Sequence, residues 1–106
     1  MTYAEKRARD AAERTKFIPA MREVFTFDRE LGQLVYAKDI PPRGKAGKVA
    51  GSLNGHGTRQ VMFNGVRYVA HEIVYALHND VWPATPVKFR DGNILNLQPE
   101  NLYLED

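Results

Sequence analysis

The chain has 106 residues, of which 43% are hydrophobic, 26% charged and 10% aromatic, with no cysteine and a formal net charge of +2. That length holds one domain with a single modest core, and the missing cysteine excludes disulfides, zinc knuckles and thiol chemistry. No apolar run approaches the roughly 20 residues of a membrane span and the charged N-terminus does not resemble a signal peptide, so a cytoplasmic protein is expected.

Thr2 and Glu5 have the spacing of a capping box, in which the Thr hydroxyl accepts from an orphan N–H and the Glu side chain reaches back. A helix over residues 3–16 follows and ends before Pro19. Its buried stripe is mostly alanine (Ala4, Ala8, Ala11, Ala12) and offers little apolar area, whereas Lys6, Arg7, Arg9, Arg14 and Lys16 make it basic. Residues 1–19 are therefore read as a basic helical arm and 20–106 as the folded domain. VFTF (24–27) and QLVYA (33–37) have strand character, and DRELG (28–32) joins them as a hairpin loop with Gly32 at its left-handed position. IPPRG (40–44) breaks regular structure and leads into a glycine-rich basic loop.

The clearest local signal is a second hairpin. TRQVMF (58–63) and VRYVA (66–70) flank Asn64 and Gly65, the preferred pair for a type I′ turn. Such a turn sets Phe63 opposite Val66 and Val61 opposite Tyr68. Val61, Phe63, Val66, Tyr68 and Ala70 then form the core face, while Gln60, Met62, Arg67 and Val69 form the other. Residues 49–53 add a third strand through NGHG (54–57), which puts His56 at a solvated loop tip. From 71 to 79 the period becomes helical, with Ile73, Ala76 and Leu77 on one face, Val74 and Val81 extending it, and Trp82-Pro83 as the stop. A short strand at 87–89 and an Asp91-Gly92 turn come last. The sum is an α+β fold: a small antiparallel β-sheet of hairpins with short helices, the 71–79 helix lying on the Val61, Phe63 and Tyr68 face.

Charge is unevenly spread. Residues 1–50 carry eleven Lys/Arg against seven Asp/Glu, and 51–106 carry four against six. Between Asp39 and Glu72 there is no acid at all, while Arg43, Lys45, Lys48, Arg59 and Arg67 sum to +5. A charge run is ordinarily a solvated face, but an acid-free stretch of that length suits a polyanionic partner, since any carboxylate there would oppose phosphate. His71 and His78 lie seven apart on one helix, about 10 Å, which is too far to share a metal without other ligands. His71 is expected to be a hydrogen-bonded core residue.

GKVAGSLNGHGTRQVMFNGVRYVAHEIVYALHNDVWP (47–83) resembles the body of the small HNH homing endonucleases of phages and mobile introns, and REVFTFDRELGQLVYAK (22–38) resembles their opening hairpin. Glu72 departs from the family, which has a basic residue after this helix-starting His. The resemblance spans roughly residues 20–102 and implies an HNH-like (ββα-metal) frame followed by a segment of the form Ile-Asp-His-x-x-Gly-Asp…Asn-Arg-x-x-Asn-Leu. There the His is a general base toward water, the Asp helps hold one divalent metal at the scissile phosphate, and the middle Asn orients the base. VKFRDGNILNLQPENLYLED (87–106) keeps Val87, Gly92, Asn101 and Leu102 of that pattern. Lys88 stands at the metal-binding Asp, Phe89 at the base and Leu97 at the middle Asn, and the sequence stops at Asp106 before the family's last ligand-bearing helix. Phe accepts no proton, and a Lys ammonium about 4 Å from a dication at an effective dielectric near 20 opposes it by roughly 8 kcal/mol.

The expectation is a catalytically inactive HNH-like DNA-binding protein of phage or mobile-element type, with no catalytic residue, metal or cofactor. Arg43, Lys45 and Lys48 are expected on phosphates and Gln60 and Arg67 on base edges, since a two-stranded ribbon fits the major groove, and Arg59 is counted among the DNA-binding residues. The other reading is a protein-binding inhibitor of a host nucleic-acid enzyme, anchored by Trp82, Met62, Phe89 or Tyr103.

Overall fold

A computed structural model describes residues 2–41, 44–55 and 57–104. The fold is mixed α+β: three helices, a hairpin, a three-stranded antiparallel sheet and a second hairpin, all packed on one core. No helix among the described residues is long and apolar enough to cross a membrane.

Helix α1 (Tyr3–Thr15) starts where the Thr2 hydroxyl accepts the Glu5 N–H at 3.1 Å. Only Ala11 of its alanine stripe is buried. The helix is held to the body by polar and aromatic contacts instead. The Arg14 guanidinium lies 5.3 Å from the Tyr68 ring and 5.6 Å from the Trp82 ring. Thr15 Oγ1 accepts the Trp82 N–H at 3.0 Å, and Arg7 Nε donates to the Ala84 carbonyl at 3.0 Å.

A second helix, α2 (Ile18–Val24), stands where the sequence suggested a break before a strand at 24–27. Pro19 occupies its first turn, where the missing N–H costs nothing and the fixed φ suits a helix start. Ile18 and Met21 are fully buried by it, and Val24 is its last residue rather than the first of a strand. The strands β1 (Phe25–Asp28) and β2 (Gln33–Tyr36) pair Phe25 with Tyr36 and Asp28 with Gln33. Gly32 takes φ 68°, closing the turn as expected.

Strand β3 (Ser52–Leu53) is shorter than the expected 49–53. Val49 instead bridges Val35 of β2, and the chain crosses to β4 (Arg59–Phe63) at Gly51 with φ 85°. Strand β5 (Val66–Val69) pairs with β4 in the expected register, Phe63 with Val66 and Val61 with Tyr68. Asn64 (φ 50°) and Gly65 (φ 77°) both take the left-handed values that a type I′ turn requires. Val61, Phe63, Tyr68 and Ala70 are buried, but Val66 is 45% exposed, against the core role expected for it. It sits beside the hairpin tip, beyond the reach of the covering helix.

That helix, α3 (Ala70–Asn79), buries Ala70, Ile73, Val74 and Ala76. Asp80 caps it at φ 60°, and Arg22 of α2 clamps the end, donating to the Leu77 carbonyl at 2.8 Å and pairing with Asp80 at 2.9 Å. Val81 lies past the helix and is 47% exposed, so it does not extend the apolar face as expected. Strands β6 (Val87–Phe89) and β7 (Leu102–Leu104) form the last hairpin, with a 3₁₀ turn at Pro99–Asn101 leading into β7.

Gly51 carries a close approach that no other residue could make. A Cβ there would overlap the Gln60 carbonyl oxygen and come within 2.7 Å of Val61 Cγ2. Gly47 shares its positive φ (84°) but has nothing within 4 Å. Gly51→Ala is expected to cost roughly 3 kcal/mol or more, and Gly47→Ala about 1–2 kcal/mol from backbone strain alone. Urea denaturation of the two variants side by side measures the difference; equal costs would mean that the β3–β4 contact is not tight.

Candidate functional site

Two places hold the residues singled out by sequence. The first is the loop between β6 and β7. Val87 and Phe89 face inward with Leu102, whereas Lys88 faces outward opposite Tyr103, so Lys88 and Phe89 point to opposite sides of the ribbon. The loop between them is folded on its own side chains. Asn101 is buried; its Nδ2 donates to Asp91 Oδ1 at 2.9 Å and to the Asn96 carbonyl at 3.0 Å, and its Oδ1 accepts the Asp91 N–H at 3.0 Å. Asn96 Nδ2 donates to the other Asp91 oxygen at 2.8 Å. These donors, Asn96 first, then the Asn93 N–H and Asn101, hold the Asp91 carboxyl below its ordinary range. The first hairpin staples the loop from outside: Arg29 pairs with Glu100 at 2.7 Å, Gln98 Nε2 donates to the Arg29 carbonyl and Gln33 Nε2 to the Leu95 carbonyl.

Phe89, at the expected base position, meets the edge of His71 with ring centroids 5.0 Å apart. Among the described residues His71 makes this aromatic contact rather than the hydrogen bond expected of a core histidine. Burial pushes its imidazole down to about 4. Leu97, at the expected middle Asn, is buried. Beneath His71 a cavity of about 10 Å³ is lined by Gln33, Arg59, Ala70, Ile94, Leu95 and Leu97. Among the described residues no three His, Asp or Glu side chains converge as a metal site requires.

The second place is the outer face of the three-stranded sheet. Gln60 stands between Ser52 and Val69 across the strands, and Met62 stands opposite Arg67. The basic loop does not hang free beside them. Tyr36 N donates to the Lys48 carbonyl, Gly47 N to the Tyr36 carbonyl and Ala50 N to the Leu34 carbonyl, so residues 47–50 run along β2. Gly44 lies against the Tyr36 ring, where a Cβ would come within 2.9 Å. A groove of about 280 Å³ results, bounded by Tyr36, Lys48, Val49, Gly51, Ser52, Gln60 and Met62.

Lys45, Lys48 and Arg67 are exposed around this face, and among the described residues none has a carboxylate at ion-pair distance. The acid nearest in sequence to Lys45 and Lys48, Asp39, accepts the Ala46 N–H at 2.9 Å. Arg59 does not share the surface: it has the parity of Val61 and Phe63, donates to the Gly51 carbonyl at 3.2 Å and lines the cavity under His71. Arg43, and His56 with it, lie outside the described residues. On α1, Arg7 and Arg14 are taken up by the body, leaving Lys6, Arg9 and Lys16 exposed. Arg7 approaches Glu72 at 3.8 Å. Burial raises its carboxyl above the usual range, with Arg7 and Arg14 opposing the shift. Tyr36 and Ser52, which complete the groove, were not singled out by sequence; only the cross-strand register brings them to it.

No protein-family model matches this chain, and neither a curated protein nor a solved structure matches it.

Removing the three hydrogen bonds of Asn101 is expected to destabilise the fold by about 2 kcal/mol in Asn101→Ala. Asn101→Asp should cost more at neutral pH, because a second carboxylate then faces Asp91, and the gap between the two variants should close below about pH 4. Urea titrations at both pH values test this. An Asp variant no worse than the Ala variant would mean that the Asp91 contact carries no energy.

The neutral form of His71 is favoured by the fold, so its contribution to stability is complete above pH 6.5 and is lost as pH falls toward 4. Glu72, raised by burial, acts in the opposite sense, favouring the fold on the acid side. Comparison with His71→Gln isolates the imidazole. The stability advantage of the wild type over that variant should shrink by roughly 1–2 kcal/mol between about pH 7 and pH 4, a range discounted for the ring's partial exposure. A difference independent of pH would mean that His71 titrates normally.

Proposed function

We propose that this chain is a nucleic-acid-binding protein built on an HNH-endonuclease-like frame that lacks cleavage chemistry. The carrying observation is the cationic outer side of the β3–β4–β5 sheet, where Lys45, Lys48 and Arg67 stand exposed without carboxylate partners among the described residues. Neutralised surface cations answer no phosphate; unpaired ones do. Ordering of residues 47–50 along β2 fixes the backbone that carries Lys48, which lowers the entropy lost on binding.

Loss of cleavage is supported by the side chains at the expected catalytic positions. Phe89 has no titratable atom and its ring is engaged by His71. Lys88 places a cation where a metal-binding carboxylate is expected. His71 itself is a poor substitute base, because an imidazole held near 4 has low proton affinity.

One observation favours the protein-binding alternative: an open apolar groove of about 380 Å³ between the hairpins, lined by Val24, Tyr36, Ile40, Pro41, Met62, Phe63 and Asn64. The anchors expected for it are mostly withdrawn, however. Trp82 is 3% exposed, Phe89 is packed on His71, and Tyr103 lies 4.9 Å under the Arg90 guanidinium. Met62 alone of the four is open, 47% exposed.

Duplex binding measured across a salt series is the test. Lys45→Ala with Lys48→Ala should weaken binding to all duplexes alike and reduce the slope of log affinity against log salt by about 1 for each lost contact. An unchanged slope removes this loop from the interface. Supercoiled plasmid incubated with the protein and Mg²⁺ or Mn²⁺ should stay supercoiled, and metal-dependent nicking would overturn the inactive reading.

A further inference from the structure

We propose that the outer face of the β4–β5 ribbon reads sequence in a DNA major groove, with Arg67 on a guanine and Gln60 on an adenine two base-pair steps away. The inference rests on the nucleic-acid-binding reading and goes further by naming which bases are recognised and at what spacing.

The ribbon's shape is the first support. β3 pairs only with Arg59 and Gln60, so from Val61 to the turn the β4–β5 hairpin is two strands wide. Two strands about 4.8 Å apart fit a major groove about 12 Å wide, which admits the Met62–Arg67 row, and Gln60 stands at the mouth, where β3 ends beside it. Met62, on the outer face of this stretch, is 47% exposed, while Val61, Phe63 and Tyr68 on its inner face stay on the core. An apolar side chain left in water there gains from contact with a thymine methyl group.

The register then sets the spacing. Met62 faces Arg67 and Gln60 faces Val69, so the outer face presents two rows of side chains, each with one polar reader and one apolar neighbour. Rows two residues apart along a strand are separated by about 6.6–6.8 Å. Base pairs rise about 3.4 Å along the duplex, so two rows match every second base pair. The readers are chemically distinct. The Arg67 guanidinium offers the paired donors that match guanine O6 and N7, and the Gln60 amide offers the donor and acceptor that match adenine N7 and N6. Val69, beside Gln60, is placed for the methyl of the thymine in the same pair. No carboxylate intrudes: the β3–β5 segment carries no Asp or Glu, and Lys48 bounds the same groove as Gln60, suited to an adjoining phosphate. Phosphate contacts of that kind position the ribbon, and the two readers then specify.

Selection of bound sequences from a randomised duplex pool by the full chain, at one fixed moderate salt, tests the proposal. The expected motif contains a G·C and an A·T pair separated by one unread base pair. Arg67→Ala should flatten the G·C column and leave the A·T column, and Gln60→Leu should do the reverse. Each change should remove roughly ten- to hundredfold of discrimination at its own position. Both side chains lie on the outer face, and thermal melting of the variants checks that the fold is kept. A bound pool without sequence preference would overturn the readout and leave nucleic-acid binding standing. A motif of different spacing, or one unmoved by either substitution, would also overturn it. Failure to bind any duplex at low salt would overturn both readings together.

Discussion

Everything in this fold depends on α3 being covered from several sides at once. Its buried residues, Ala70, Ile73, Val74 and Ala76, have no single large sheet to lie on. They meet α2, β2, β4, β5, β6, β7 and the 3₁₀ turn before β7, drawn from separate small sheets of two or three strands. A lone hairpin in water is at best marginally stable, because one strand pair cannot bury enough apolar area to offset chain entropy. Each hairpin here gains its core by contributing one wall around the same ten-residue helix. Loss of one wall therefore exposes the helix to the detriment of the other two, which couples sites distant in sequence.

That coupling explains why the loop of residues 90–101 is ordered despite its polar composition. Its internal hydrogen bonds centre on Asn101 and Asp91, but its outer contacts come from Arg29 and Gln33 of the first hairpin, some 60–70 residues earlier. The loop is thus a bridge between two walls. Polar side chains do the bridging, and every one of them competes with water, so its order depends on the buried Asn101 amide. In the proposed reading a catalytic loop has kept this scaffolding while its reactive positions were filled by packing groups. In that reading Phe89 and Leu97 add apolar contact where an imidazole and an amide would stand, which strengthens the wall.

The sequence was most legible where local chemistry and packing agree. Asn64-Gly65 set the β4–β5 register correctly, since a type I′ turn admits few alternatives and a one-residue slip would have turned Val61 and Phe63 to solvent. The α3 span was legible from its period to within one residue. Failures came where a local rule had two meanings. Pro19 reads locally as a terminator, though at a first helical turn it is an initiator, and so the sequence pattern does not announce α2. Val66 kept the parity of the core but not its depth, because alternation says which side a residue faces and not how far the covering layer extends. Arg59 shows the converse: its parity with Val61 was visible in sequence and already implied the inner side. The contacts of α1 had no apolar pattern to betray them, since Arg14 lies over Tyr68 and Trp82 by cation–π attraction. The candidate groove is legible only in part: Lys48, Gln60 and Met62 stand out in sequence, but Tyr36 and Ser52 join them because residues 47–50 run along β2, a contact that no local pattern announces.

Charge placement is the remaining step. A net charge of +2 gives little long-range attraction by itself. The arrangement of ion pairs matters more. Arg7–Glu72, Arg22–Asp80 and Arg29–Glu100 all join elements of the body, α1 to α3, α2 to the end of α3, and the first hairpin to the last loop. In each, a cation that would have added to the surface potential is answered locally. Lys45, Lys48 and Arg67 are left unanswered beside the outer sheet face, and their fields add there. The Arg7–Glu72 contact bears on the same balance at the start of α3. An acid at 72 meets Arg7 from α1, whereas a base there would repel it. With Arg7 drawn onto Glu72 and the Ala84 carbonyl and Arg14 onto the Tyr68 and Trp82 rings, the arm keeps Lys6, Arg9 and Lys16 exposed, and the sheet face adds Lys45, Lys48 and Arg67 to them.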